Sequence, residues 1–137
     1  MQHQTRGLNI NMPNLIKAAP VPLIATVVMG LLSLLSIRLG VLSGIIFTLL
    51  WAFCGAWYAR VILRSGERTL AIDLALNGAV LGIAAAIVYS IIVWIAAALR
   101  SNGYTLDVVS LLMGALADGI IAALGAIAWY TYQTEKR

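Results

Sequence analysis

Four long apolar stretches, separated by short polar breaks, set the pattern of this chain. A polar, Asn-rich segment over residues 1–16 gives way to an apolar run from Lys17 or Ala18 to Ile37, closed by Arg38 and Gly40. A second run extends from Val41 to Leu63 and stops at Arg64-Ser65-Gly66-Glu67-Arg68. A third, Leu70 to Leu99, ends at Arg100-Ser101-Asn102-Gly103, and a fourth runs from about Leu106 to Tyr132 before the polar tail 133–137. Each is long enough for the ~20 residues that a helix needs to cross a ~30 Å hydrocarbon layer. Pro20 and Pro22 fall in the first helix's opening turn, where backbone N–H groups have no helical acceptor anyway. At about 1.5 Å per residue the third run exceeds the hydrocarbon thickness, so its first turns, with Asp73 and Asn77, are expected at or above the interface.

The pattern therefore predicts an all-α, polytopic membrane protein: one domain over residues 1–137, a compact four-transmembrane-helix bundle with short loops. The helices are expected at about 17–37, 41–63, 70–99 and 105–132, forming two hairpins, one–two and three–four. The segment before them carries Leu8, Ile10, Met12, Leu15, Ile16 and Lys17 in a weakly amphipathic order that suits a membrane surface.

Composition strengthens this reading. Of 137 residues, 62% are hydrophobic and 10% charged, against roughly half and a quarter in soluble domains. A net charge of +4 would suit a nucleic-acid partner only if the basic residues formed a patch with interleaved aromatics. They sit singly between apolar runs instead, so no nucleic-acid partner is expected. Arg6, Lys17, Arg60, Arg64, Arg68, Lys136 and Arg137 fall on one side of the predicted topology, and Arg38 and Arg100 on the other. The positive-inside rule then places both termini and the middle loop in the cytoplasm of a bacterial-type inner membrane. Trp57-Tyr58, Trp129-Tyr130 and Tyr132 on that side, and Trp94 and Tyr104 on the other, match the aromatic belts of a spanning bundle.

Small residues recur at four-residue steps: Gly78, Gly82, Ala86 and Ser90 in the third helix; Ser110, Gly114, Asp118, Ala122 and Ala126 in the fourth; Gly44, Thr48, Ala52 and Ala56 in the second. In lipid such stripes let helix backbones approach closely, so they mark contact faces within the bundle or toward another chain. The first helix is weaker, with Thr26, Gly30 and Ser33.

Asp118 is the sharpest chemical signal. It stands near the middle of the fourth helix, where a carboxylate is costly and must face protein or water. No Lys or Arg lies at that depth, so a neutral, hydrogen-bonded acid is the simplest expectation and a proton- or cation-coupling role the sharper one. Thr48, Tyr89 and Ser90 lie at similar depth as possible partners. Arg60 and Asp73 flank the middle loop and are expected to form a salt bridge, with Asn77 extending a polar network inward. Thr105 is an N-cap candidate, and Asp107 suits the positive end of the fourth helix's dipole.

The only cysteine, Cys54, lies inside an apolar run, and the only histidine is His3. No metal-ligand spacing, nucleophile–base pair or phosphate-cradling glycine loop is present, so neither enzyme activity nor a cofactor is expected. The layout resembles several bacterial families of small, glycine-rich four-span membrane proteins without assigned function. Rotor-ring proteolipids of rotary ATPases also carry a mid-membrane acid in a glycine-striped last helix, but the first helix here lacks their dense alternating-glycine face. Small multidrug-resistance transporters carry their essential acid in the first helix, which has none here. The expected function is a non-catalytic accessory, assembly or structural subunit of a larger membrane complex. Its partners would be membrane lipid and either other subunits or copies of itself. The alternative is a small homo-oligomeric proton- or cation-coupled transporter or channel using Asp118.

Overall fold

The computed structural model describes residues 9–34, 41–100 and 107–136. The stop at Arg38 and Gly40, the Tyr104 belt position and the Thr105 cap lie outside them. Among the described residues all regular structure is helical: α1 (Met12–Ala18), α2 (Pro20–Leu34), α3 (Val41–Arg64), α4 (Ala71–Leu99) and α5 (Val108–Glu135).

The first expected span is broken in two. Asn11 caps α1, its side chain accepting from the Asn14 backbone N–H at 3.2 Å, with Pro13 following in the first turn. The chain then bends by 51° between α1 and α2. Ala19 keeps helical angles and bonds back to Leu15, but Pro20 and Pro22 offer no N–H to the carbonyls of Ile16 and Ala18. Proline in a continuing helix bends it. The prolines thus act inside a longer helical run beginning at Met12 rather than at the start of one beginning at Lys17. The 15 described residues of α2 rise only about 22 Å.

Three helices, α3, α4 and α5, are long and apolar enough to cross a membrane, and the α1–α2 pair would make a fourth if it counts as one bent span. Gly66 closes α3, its φ of 78° lying in the left-handed region that favours glycine. The Ser65 and Gly66 N–H groups meanwhile satisfy carbonyls of the last turn.

At the other end, α5 is capped by Asp107 itself, which accepts from the Val109 N–H at 3.0 Å and the Ser110 hydroxyl at 2.6 Å. The Ser110 hydroxyl first, then the Ser110 and Val109 N–H groups, hold this carboxyl below the usual aspartate range. A carboxyl whose folded value is lowered adds stability above its ordinary value of about 3.9, and loses it as pH falls through the folded value. Acidification below the ordinary range should therefore loosen the start of α5. The drop should be read as lower protection factors over residues 108–112, relative to the intrinsic exchange rate at each pH, and Asp107→Ala should abolish that fall in protection.

α5 lies extensively against both α4 and α3, which touch each other less; α4 also carries α2, which lies mainly on it and only lightly on α3. The expected pairing of the first two spans is therefore not the main one: the small face of α3 is occupied by α5, leaving α2 to seat Gly30 against Ile92 of α4. Small residues fill many of the helix contacts while many large apolar side chains face outward. Ala59, Ala85, Ala122 and Ala126 are 0% exposed, whereas Leu49, Met113, Ile120 and Leu124 are 60% or more exposed. Burying alanine while leaving leucine outside makes sense only in an apolar solvent, where close backbone contact rather than hydrophobic burial holds helices together. With the three long apolar helices, this makes the molecule a helical membrane protein.

Candidate functional site

The seam between α3, α4 and α5 is built on backbone proximity. A Cβ added at Gly55 would fall on the Ala122 carbonyl, and one at Gly125 on the Ala52 carbonyl. Gly78 of α4 sits 3.3 Å from the Gly55 Cα by the same measure and 3.0 Å from the Ala126 Cβ. Gly82 would meet the Ala122 side chain, while Gly119 faces Ile83 and the Ala79 carbonyl. Of the small residues singled out from sequence, Gly78, Gly82, Ala86, Ala122 and Ala126 are all buried. Gly114 is not: it is exposed, with nothing within 4 Å of where a Cβ would stand.

The reason is helical drift. Each four-residue step turns about 40° past a full turn, so four such steps swing about 160° off the starting face. The seam on α5 follows alternating steps of four and three instead, through Ala115, Gly119, Ala122 and Ala126. Gly55 and Gly125, the two tightest positions, and Gly119 lie off the four-step stripes. Their signal in the sequence is that mixed spacing.

Asp118 precedes Gly119 and lies at the flank of the seam, half-buried. Its own face can be placed by register. It stands one heptad before Gly125, which touches α3, and Thr48 stands one heptad before Gly55, which touches α5. Asp118 and Thr48 therefore lie on the faces that α5 and α3 turn toward each other. The tight contact at Gly55 and Gly125 does not reach this level, however. Thr48 is exposed and donates to the Gly44 carbonyl of its own helix at 2.9 Å. Gly44, like Gly114, has open space where a Cβ would stand.

Tyr89 and Ser90 do not complete a polar cluster with Asp118. Tyr89 joins an aromatic group with Phe47 and Trp51, at centroid distances of 4.9 and 5.9 Å, and its hydroxyl meets that of Ser33. Ser90 is half-buried on α4, next in sequence. Cys54 is fully buried beside the Thr26 hydroxyl, which itself donates to the Pro22 carbonyl.

The second group lies at the end of the bundle where α1, the turn after α3 and the last turns of α5 meet. Arg60 forms no bond to Asp73; its guanidinium lies over the rings of Trp57 and Trp129, 5.3 and 5.9 Å from their centroids. Stacking on aromatics suits the weakly hydrated guanidinium better than reaching a half-buried carboxylate. Asp73 contributes its backbone carbonyl instead, accepting from Asn77 Nδ2 at 2.8 Å.

Asn77, 2% exposed, does form a network, but toward the N-terminus. Its Oδ1 accepts from the Asn11 N–H at 2.9 Å, and its Nδ2 also donates to the Asn9 carbonyl at 3.1 Å. Asn14 extends the link by donating to Glu67 at 2.8 Å. This asparagine tether seats Leu15 and Ala18 of α1 in a core with Tyr58, Ile62 and Leu74. Asn11 followed by Pro13 is a helix-start signature readable from sequence.

The chain matches no protein family, no curated protein and no solved structure.

Proposed function

We propose that this is a small, non-catalytic accessory or assembly subunit of a larger membrane protein complex. In this reading it crosses the membrane four times, with α1 and α2 as one bent span, and it sits in a bacterial-type inner membrane with both termini cytoplasmic. The observation that carries the reading is the exposed small-residue face formed by Gly44 and Thr48 of α3 and Gly114 of α5, flanked by the half-buried Asp118. An apolar solvent gives a helix no reason to expose glycine and a carboxyl when leucine is available. A neighbouring transmembrane helix supplies that reason, because glycine admits its backbone and the acid finds a hydrogen-bonding partner.

Purification in mild detergent should bring a second membrane protein with it, and recovery as a lone monomer would count decisively against the proposal. Asp118→Asn should leave that association within about twofold, since an amide keeps the size and hydrogen-bonding capacity of a neutral acid. Asp118→Leu, which keeps the bulk and loses both, should weaken it about tenfold or more. The alternative, a proton- or cation-coupled homo-oligomeric carrier, requires polar groups leading to Asp118. It predicts instead that Asp118→Asn abolishes pH-dependent flux into liposomes.

A further inference from the structure

Three arginines converge on one cleft. Arg60 and Arg64 stand one turn apart near the end of α3, Arg68 follows in the loop, and all three line a recess of about 830 Å³ closed on its far side by Trp129 and Gln133 of α5. Two like charges at i and i+4 repel one another, and a third close by adds to the strain unless an anion joins them. Glu67 also borders the cleft, but its Oε2 already accepts from the Asn14 side chain at 2.8 Å. Three guanidinium groups against one engaged carboxylate leave the recess cationic.

The Arg60 guanidinium is drawn to the cleft's aromatic wall, near the rings of Trp57 and Trp129. A guanidinium presents paired, coplanar donors to a phosphate. The recess is also larger than a bare phosphate requires, with room for the polar part of a headgroup. Trp129 and Tyr130 mark this level as the boundary between apolar and aqueous layers. Basic pockets between membrane helices at that level suit anionic lipid headgroups.

We infer that the cleft between the end of α3, the loop to α4 and the last turns of α5 binds a phosphate group, supplied by the headgroup of an anionic phospholipid. The site is separate from the face around Asp118 and stands whether or not a partner subunit exists.

The test uses the full chain reconstituted into phosphatidylcholine liposomes containing phosphatidylglycerol, then extracted in mild detergent, with retained lipid identified by mass spectrometry. The wild-type chain should retain phosphatidylglycerol over phosphatidylcholine, and the double variant Arg64→Gln/Arg68→Gln should lower that preference about tenfold. Arg64→Lys/Arg68→Lys, which preserves charge and fold but not the paired-donor geometry, should fall between them. Lys136→Gln removes a charge from the same end but outside the cleft, and should change little.

A parallel calorimetric titration with inorganic phosphate separates the sources. Arginine-dependent binding of inorganic phosphate without lipid preference would uphold the site and assign it to a soluble phosphate. Equal phosphatidylglycerol retention by the wild type and the Gln variant, with no arginine-dependent phosphate binding, would overturn the proposal.

Discussion

Gly55→Ala is expected to destabilise the bundle by about 3 kcal/mol or more, a large effect for a single methyl group. Overpacking is relieved cheaply when the obstacle is the end of a flexible side chain. Here it is the Ala122 backbone carbonyl, so the methyl can be admitted only by separating α3 from α5. Separation would also undo the contacts of Gly125 with Ala52 and of Gly78 with Gly55, because all three glycines share one crossing. Gly125→Ala should therefore cost a similar amount, and the two substitutions should not be additive. Gly114→Ala, on the same helix but in open space, should stay within about 0.5 kcal/mol. Unfolding by sodium dodecyl sulfate titrated into a mild detergent would read all three. Equal tolerance of Gly55→Ala and Gly114→Ala would remove the seam as the basis of the fold.

The second large effect is expected at Asn77. Leucine there keeps the volume but strips a partner from the Asn11 N–H and the Asn9 and Asp73 carbonyls. Losing hydrogen bonds to a buried amide costs about 1–3 kcal/mol, and the upper part of that range applies because several partners lose their bond together. The loss should be local. Hydrogen exchange across Asn11–Ala18 should accelerate by about tenfold or more, consistent with a penalty above about 1.4 kcal/mol at a local opening step. The seam around Ala122 should remain protected. Unchanged exchange in α1 would show that Leu15 and Ala18 hold the segment without the amide.

These two sites were unequally legible in the sequence. Apolar length alone marks α3, α4 and α5, because each run exceeds what a helix needs to cross the hydrocarbon and polar breaks bound it on either side. Which residues touch was harder to read. A four-residue rule finds Gly78, Gly82, Ala122 and Ala126 but carries Gly114 onto the seam and misses Gly55, Gly119 and Gly125, since a helix turns by 3.6 residues and not four. The Arg60–Asp73 pair was inferred from opposite charges flanking a loop. Two tryptophans, one from each of α3 and α5, compete for the same guanidinium, and their proximity depends on a helix crossing that charge spacing does not encode. The Asn77 position likewise suggests a network running inward toward the bundle core. Beyond the Asp73 carbonyl one turn away, its partners arrive from a segment 66 to 68 residues earlier, a distance over which periodicity carries no information.

The contact of α5 with both α3 and α4 also bears on the order of synthesis. Ribosomes release this chain from its N-terminus, so the helix on which α3 and α4 both lean emerges after both of them. Until residue 125 has left the ribosome, the glycine-lined side of α3 has no permanent occupant and must be shielded by lipid, by an insertion factor or by a transient mate. A nascent chain arrested ahead of Val108 would hold α2 and α3 on α4 alone, lacking the helix that makes the closest backbone contacts with α3, which makes completion of α5 the committing step of assembly.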